Sequence, residues 1–310
     1  MRYRRIGKSG LTVSEIGLGG NNFGQRADEK SSLATIRHAL ALGINFIDTA
    51  DVYNQGRSEE IVGKAVQAGR SRVIIATKFG HPNSMDPAEQ GGSRRYILKA
   101  VEASLKRLGT DYIDLYYIHR PDEGTPVEET LRALDDLVAG GKVRYFGCSN
   151  FAAWQLCEAV WTSKVHNVNP FIAVQSRYNL IDRDIETELV PCCQTYGVGV
   201  IPWAPLAAGF LTGKYRPDRK MPANARLAKS MKIYDDVLTE ANFDKLAALE
   251  SLAAESGRSI LELAVAWLLS RPWVGSVIAG MMTPEQADAN VAAAASRLTP
   301  DEVARIEKIS

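Results

Sequence analysis

The chain has 310 residues, of which 45% are hydrophobic and 24% charged, and its formal net charge is +1. A nearly neutral chain without a long run of one charge sign does not favour nucleic acid or a membrane surface as its main partner. No stretch is apolar over the length of a membrane span, and no apolar signal segment follows the basic N-terminus. The four cysteines have no CxxC spacing, so we expect free thiols in a cytoplasmic protein.

Strand-like and helix-like segments alternate along most of the chain. Residues 2–14 come first and alternate apolar and polar around a Gly-Lys-Ser-Gly turn, which predicts a β-hairpin. The strand-like segments that follow are Ile16–Leu18, Ile44–Asp48, Val73–Thr77, Tyr112–Ile118, Lys142–Gly147, Ile172–Gln175, Val198–Ile201 and Gly275–Ala279. Helix-like segments lie near residues 28–42, 57–68, 93–108, 126–139 (with Thr125 as the predicted N-cap), 151–163, 183–195, 240–256 and 259–271, from Pro284 and from Thr299.

Eight successive strands, each followed by helix, imply right-handed crossovers and a parallel sheet. Eight such units in a chain of this length suit a closed barrel. We therefore predict an α/β fold, a (β/α)8 TIM barrel that spans residues 1–310 as a single domain, with the hairpin closing its bottom. The alternative is a doubly wound sheet, which typically carries GxGxxG after its first strand. Gly17–Asn22 does not match that pattern.

A long insertion at residues 204–237 follows the seventh strand of the predicted barrel. Long loops inside compact domains are usually functional. The loops that follow barrel strands lie at the mouth where barrel active sites are built. We therefore expect this insertion to lie beside the site.

Four polar residues follow strand-like segments: Asp48, Tyr53, Lys78 and His119. The C-terminal ends of barrel strands converge on one mouth, so these side chains should meet there. Lys78 can lower the pKa of the Tyr53 phenol by stabilising its phenolate, and Asp48 can keep a buried Lys78 charged. The set suits protonation of an oxygen that gains negative charge, as when a hydride reaches a carbonyl carbon. Taken singly, each residue also fits a structural role as an ion pair, a packing tyrosine or a core histidine.

A metal-dependent hydrolase is a poor alternative. The chain has four histidines, His38, His81, His119 and His166, and none of them pairs at HxH or HxxxH spacing. We therefore expect no metal site.

Several long motifs resemble those of the aldo-keto reductase superfamily. They are Asn45–Tyr53, Ala76–Lys78, Leu105–His119, Gly141–Phe151, Val174–Leu180 and Trp203–Leu206, in consistent order along the chain. The resemblance implies NAD(P)H-dependent reduction of an aldehyde or ketone. It implies that Tyr53 is the general acid, that Lys78 lowers its pKa, that Asp48 holds Lys78, and that His119 orients the carbonyl.

The same resemblance implies a cofactor, NADPH or NADH, that is bound without a Rossmann fold. Ser149, Asn150 and Gln175 would bind the carboxamide, and Trp203 would stack on the nicotinamide ring. Lys214 can neutralise a pyrophosphate that the loop glycines let approach. The other implied contacts are Ala204, Pro205, Leu206, Gly209, Leu211, Gly213 and Arg226 in the insertion, and Gly280, Thr283, Gln286 and Asn290 at the adenosine end.

The choice between the two coenzymes stays open. Relatives that prefer NADPH commonly carry Lys, Ser or Arg where this chain has Gly280, Met281 and Met282, and Ala289 stands where an acidic residue is often found. Methionine offers no charge to a 2′-phosphate, whereas family frequency favours NADPH. We therefore expect NADPH, with NADH as the alternative.

The substrate is expected to be a small carbonyl compound. Phe23, Tyr53 and His119, together with Trp203, are predicted to line a partly aromatic pocket, which suits an aldehyde or ketone with an apolar body. His81 is a candidate for its rim. The resemblance extends to potassium-channel β-subunits, so a nicotinamide-sensing regulatory subunit with little turnover is the alternative function. The sequence does not fix the oligomeric state.

Overall fold

The computed structural model describes residues 1–82, 89–216, 221, 227, 234 and 236–310. Its strands are β1 (Tyr3–Arg5), β2 (Thr12–Ser14), β3 (Ile16–Gly19), β4 (Phe46–Asp48), β5 (Ile74–Phe79), β6 (Ile113–Ile118), β7 (Val143–Ser149), β8 (Ala173–Arg177), β9 (Gly199–Trp203) and β10 (Val277–Gly280). Its α-helices are α1 (Glu29–Ala41), α2 (Arg57–Val66), α3 (Arg94–Leu108), α4 (Val127–Ala139), α5 (Ala153–His166), α6 (Leu189–Tyr196), α7 (Glu240–Glu255), α8 (Ile260–Ser270), α9 (Pro284–Ala295) and α10 (Pro300–Ile309).

Strands β3 to β10 form one sheet in the order β10-β3-β4-β5-β6-β7-β8-β9, and every neighbouring pair is parallel. The two edges meet through a bridge between Val200 and Val274. There the Val200 N–H donates to the Trp273 carbonyl at 2.9 Å, and the Gly275 N–H donates to the Val200 carbonyl at 3.0 Å. The eight strands therefore form a nearly closed barrel with helices between them, which confirms the predicted (β/α)8 fold. That the whole chain is one domain stays a prediction.

The N-terminal hairpin closes the bottom of the barrel. Strands β1 and β2 pair antiparallel, with Tyr3 opposite Ser14. The hairpin residues Ile6, Leu11 and Val13 belong to one buried apolar cluster with inward-facing residues of six barrel strands. Burial of these side chains removes water from the floor of the barrel.

The same strands carry polar side chains above this apolar floor. Side chains along a strand alternate between its two faces. Phe46 and Ala76 belong to the interior cluster, and Asp48 and Lys78 follow two residues later on β4 and β5. The same step leads from Tyr117 to His119, from Ala173 to Gln175 and from Ile201 to Trp203. The two-residue period of the strands therefore places these side chains on the inner face, at the C-terminal mouth of the barrel.

Helix α4 starts differently from the prediction. Pro126 occupies the N-cap position, and no side chain caps the helix. The predicted cap, Thr125, donates its hydroxyl to Asp122 at 2.7 Å instead. The Thr125 hydroxyl therefore stabilises a local turn, whereas the sequence pattern predicts that it caps the helix.

Among the described residues, no helix combines the length and the apolar composition that crossing a membrane requires.

Gly7 lies in the turn region of the hairpin, against the barrel wall. Its φ is +54°, and a Cβ built on it would lie 2.3 Å from the Gly197 carbonyl oxygen and 2.6 Å from the Gly199 nitrogen. We predict that Gly7→Ala lowers the free energy of unfolding by more than the about 1–2 kcal/mol that a left-handed L-residue costs, because the clash also displaces the hairpin from β9. Urea denaturation at equilibrium measures this change.

Gly109→Ala is the matched control. Its φ is +62°, and no atom lies within 4 Å of an added Cβ. The Gly109→Ala variant should lose only the unfolding free energy that the left-handed conformation of an L-residue costs. Equal losses in the two variants would contradict tight packing of the hairpin against the barrel floor.

Candidate active site

A cleft of about 820 Å³ opens at the C-terminal ends of the barrel strands. Each of the eight barrel strands contributes lining residues, from its last residues or from the loop that follows it. The predicted site residues that line the cleft are Asp48, Tyr53, His119, Ser149, Asn150, Gln175, Trp203, Ala204, Pro205, Leu206, Gly209, Lys214, Gly280, Gln286 and Asn290. The cleft therefore brings together most of the predicted catalytic and cofactor positions.

Several predicted residues lie elsewhere. Phe23 is fully buried in the hydrophobic core and does not line the cleft, so the expected aromatic wall lacks this ring. Leu211, within the insertion, is also fully buried and does not line the cleft. Gly213 and Thr283 do not line the cleft, although their neighbours Thr212 and Met282 do. Arg226 lies outside the described residues.

Lys78 lies under the cleft as the centre of a buried polar cluster. Its side chain is fully buried, and its Nζ donates to Asp48 Oδ2 at 2.7 Å, to the Thr49 carbonyl at 2.8 Å and to the Tyr53 hydroxyl at 3.3 Å. Burial disfavours the ammonium, but attraction to Asp48 and Tyr53 and their hydrogen bonds outweigh it, so the pKa of Lys78 is raised. A positive charge is therefore held beside the Tyr53 hydroxyl.

Asp48 is fixed from both sides. Its Oδ2 accepts from Lys78, and its Oδ1 accepts from the Gln175 side-chain amide at 2.7 Å. Strand β8 thus supports the ion pair that β4 and β5 form. Both carboxylate oxygens therefore hold neighbouring side chains, and Asp48 is the counter-ion of Lys78.

The predicted carboxamide-binding residues form a hydrogen-bonded network across β6 to β9. The Ser149 hydroxyl donates to the Gln175 carbonyl at 3.0 Å and accepts from Asn150 Nδ2 at 2.9 Å. Asn150 Nδ2 also donates to the His119 carbonyl at 3.0 Å, and Asn150 Oδ1 accepts from the Trp203 indole at 3.2 Å. This network fixes the position of the Trp203 ring in the cleft wall.

His119 is a neutral imidazole at the edge of the cleft. Burial, followed by the charges of Lys78, His81 and Arg120, holds its pKa well below the usual range. Its ring lies edge-on to Tyr53 with 5.9 Å between the ring centroids, and to His81 with 4.9 Å. Within the described part of the chain its Nδ1 is buried without a hydrogen-bond partner. The geometry suits a ring that hydrogen-bonds a neutral oxygen, and it does not favour an imidazolium.

The backbone around the cleft is strained. Seven described non-glycine residues have a positive φ, and five of them line the cleft: Asn54, Gln55, Asn150, Ala204 and Ala208. Each such conformation costs on the order of 1–3 kcal/mol in an L-residue and persists only when its surroundings hold it. Strain of this kind clusters at binding and catalytic sites, and it was not visible in the sequence.

Two cations converge at the end of the cleft near β3, β9 and β10. Lys214 and Arg26 both line it, and they lie close enough that Arg26 acts on Lys214: partial desolvation and then the charge of Arg26 lower the pKa of Lys214. Sequence reasoning missed Arg26. Its place in the loop after the first barrel strand was the available signal, because such loops converge on the mouth.

The methionine loop after β10 divides between core and cleft. Met281 is fully buried in the hydrophobic core, whereas Met282 lines the cleft beside Gly280. Of these two methionines, Met282 therefore belongs to the cleft, and its backbone N–H donates to Gln286 Oε1 at 2.8 Å.

Asp51 lies behind the polar cluster and was not singled out from the sequence. Its backbone N–H donates to the Lys78 carbonyl at 3.2 Å, and Tyr96 donates to its Oδ2 at 3.4 Å. Burial, and then the charge of the buried Glu59, raise its pKa to about 7. A carboxyl that titrates near neutrality therefore contacts the strand that carries Lys78.

Among the described residues, no group of three or more His, Cys, Asp or Glu side chains is arranged to hold a metal ion.

The sequence matches the model of one protein family. The Aldo/keto reductase family model covers residues 15–310. This match confirms the resemblance that the motifs indicate.

Individual relatives cover nearly the whole chain. It is 39% identical to versiconal hemiacetal acetate reductase of Aspergillus parasiticus, over 99% of this chain and 96% of that protein. It is 38% identical to a probable voltage-gated potassium channel subunit beta of Oryza sativa subsp. japonica, over 100% of this chain and 96% of that protein. It is 37% identical to L-glyceraldehyde 3-phosphate reductase of Escherichia coli strain K12, over 94% of this chain and 87% of that protein.

The raised pKa of Asp51 predicts a pH-dependent stability. The folded state keeps the proton up to about pH 7, whereas the unfolded chain releases it near the ordinary aspartate pKa of 3.8. The folded state therefore binds more protons between these values, and stability falls as pH rises through them, by about 1.4 kcal/mol per pH unit. Above the folded pKa this contribution is lost.

Asp51→Asn removes this titration with a neutral side chain of the same shape. We expect the wild type to lose unfolding free energy relative to Asp51→Asn as the buffer is changed from pH 5 to pH 8, measured by urea denaturation. Parallel pH dependences in the two proteins would contradict the assignment.

Proposed function

The chain belongs to the aldo/keto reductase family and is an oxidoreductase. We propose that it reduces an aldehyde or ketone to an alcohol with NADPH or NADH. The observation that carries the proposal is the buried Lys78, which bonds both Asp48 and Tyr53 beneath the cleft. Relatives named as reductases of versiconal hemiacetal acetate and of L-glyceraldehyde 3-phosphate support carbonyl reduction.

The residues of the cleft fit a nicotinamide dinucleotide. Asn290 lines the cleft, and its Oδ1 is buried without a hydrogen-bond partner among the described residues, so it is available to a base amino group. Arg26 and Lys214 supply positive charge for a diphosphate. Trp203 would stack on the nicotinamide ring. Asn150 and Gln175, which carry side-chain amides, line the same cleft. A bound reduced nicotinamide would supply the hydride.

Tyr53 is the proposed proton donor. Its hydroxyl lines the cleft and lies 3.3 Å from Lys78 Nζ. When the phenol gives up its proton to an alkoxide oxygen, the ammonium stabilises the phenolate that remains. Asp48 keeps Lys78 protonated at this buried position, so the charge is present before the reaction begins.

His119 is the proposed orienting group. A neutral imidazole donates one N–H, and its ring lies edge-on to Tyr53. A hydrogen bond from this ring would position the carbonyl oxygen near the phenol and stabilise the negative charge that develops on it. Because its pKa is held well below the usual range, His119 is not the acid.

A regulatory subunit is the second candidate function. The identity to a probable voltage-gated potassium channel subunit beta over the whole chain favours it. Such a protein would bind the dinucleotide and turn over little carbonyl substrate. Turnover therefore separates the two candidates.

We predict that Tyr53→Phe abolishes aldehyde reduction and leaves dinucleotide binding unchanged, because it removes the proton donor and keeps the ring. The measurements are reduced-nicotinamide absorbance with a panel of aldehydes and fluorescence titration with NADPH. Wild-type turnover in the variant would contradict the acid assignment. Dinucleotide binding by the wild type without turnover on any aldehyde would favour the regulatory candidate.

Coenzyme preference should respond to charge at position 282. We predict that Met282→Arg raises the affinity for NADPH relative to NADH by about tenfold or more, because one hydrogen bond to a charged group contributes about 1.5–3 kcal/mol. Fluorescence titration with both coenzymes measures the ratio. Met282→Leu is the neutral control. An unchanged ratio in the arginine variant would mean that the 2′-phosphate does not lie at this loop.

A further inference from the structure

One cation of the cleft, Arg120, has no role among the proposed dinucleotide contacts. Among the described lining residues of the cleft, the full cations are Arg26, Lys214 and Arg120. The carboxylate among them is Asp48, and both of its oxygens are already engaged inside the protein. Arg26 and Lys214 lie together at the proposed diphosphate end, so Arg120 needs a separate explanation.

Arg120 lies on the opposite side of the barrel from the adenosine end. It directly follows His119 at the end of β6, and β6 lies four strands away from β10 in either direction around the eight-stranded barrel. The β10 loop carries Gly280, Gln286 and Asn290 on the far wall. Tyr53 and His119 therefore stand between Arg120 and the proposed adenosine end.

Among the described residues, none forms a hydrogen bond or an ion pair with the Arg120 side chain. The carboxylate nearest to it in sequence, Asp122, is engaged locally. Asp122 Oδ2 accepts from the Gly92 N–H and from Thr125, both at 2.7 Å, and its Oδ1 accepts from the Gly124 N–H at 2.9 Å. A half-buried guanidinium without a counter-ion is an unfilled binding group, since its fork of donors matches carboxylate and phosphate.

The wall around Arg120 is polar. Asn54 and Gln55 follow β4, His81 follows β5 and Asn150 follows β7, strands that lie next to β6 or one place further along the sheet, and all four residues line the cleft. Phe23, which was expected to make the pocket aromatic, is buried away from it. An anion bound to Arg120 would therefore lie among polar side chains on this side of the cleft.

We propose that Arg120 binds an anionic group of the carbonyl substrate, a carboxylate or a phosphate, on the far side of His119 from the dinucleotide phosphates. Arg120 directly follows His119 in the chain, so one substrate could present its carbonyl to His119 and its anionic group to Arg120. The proposal rests on carbonyl reduction at Tyr53 and names the substrate class of that site.

Matched pairs of aldehydes test the proposal. One pair is 4-carboxybenzaldehyde and its methyl ester, and the other is glyceraldehyde 3-phosphate and glyceraldehyde. We expect the wild type to favour the anionic member of at least one pair in kcat/KM, and the pair that responds distinguishes carboxylate from phosphate. Arg120→Gln should lower this anionic-to-neutral ratio by about 10- to 100-fold, the loss expected for a charged hydrogen bond.

Two further variants test whether the guanidinium fork and its position are required. Arg120→Lys keeps the charge without the fork and should retain part of the preference. Arg37→Gln, an exposed position on α1 outside the cleft, makes the same change in net charge and should leave the ratio unchanged. The anionic-to-neutral ratio of kcat/KM is the readout because the charge of Arg120 also affects His119. That effect changes kcat/KM for both members of a pair alike and cancels in the ratio.

The outcomes separate this proposal from carbonyl reduction itself. Reduction of the neutral aldehydes with no anionic preference, or an unchanged ratio in Arg120→Gln, overturns the Arg120 proposal and leaves carbonyl reduction standing. If no aldehyde is reduced, calorimetric titration with 4-(hydroxymethyl)benzoate and glycerol 3-phosphate decides. Binding that weakens at least tenfold in Arg120→Gln supports the anion site, and no binding or equal binding overturns it.

Discussion

The buried ion pair between Lys78 and Asp48 is the interaction on which the candidate site depends. Taking either charge out of water costs several kcal/mol, and the pair recovers that cost only with close geometry and further hydrogen bonds. Here the 2.7 Å contact, the Thr49 carbonyl and the Gln175 amide supply them. Apolar residues would fill the same space without that cost, so the retained charge favours a chemical role over a stabilising one.

The barrel makes this pair possible. Strands β4 and β5 are neighbours and β8 lies across the barrel from β4, so all three must end at the same mouth for Asp48, Lys78 and Gln175 to meet. The hairpin and the inward-facing apolar side chains below keep water from the floor, which strengthens each electrostatic interaction above it. The strained residues at the rim indicate that the surrounding packing is rigid enough to hold unfavourable backbone conformations.

Charge is distributed unevenly in a chain whose net charge is only +1. The described lining of the cleft places Lys214 and Arg26 at one end and Arg120 at the other, with the neutral His119 and the phenol of Tyr53 between them. Such a field favours an anionic cofactor and an anionic substrate approaching from opposite sides. The net charge does not reveal this field, because the 37 Lys and Arg residues nearly balance the 36 Asp and Glu residues.

The sequence by itself determined the order of strands and helices and the polar residues that follow the strands. Both depend on local periodicity: a two-residue step places Asp48 and Lys78 on the inner face wherever their strands lie. Only the tertiary structure decided that Phe23 and Met281 enter the core, that Met282 faces the cleft, and that Arg26 and Arg120 share the cleft with the predicted Lys214. Local sequence does not specify how loops fold over the barrel mouth, because that depends on contacts between segments distant in the chain.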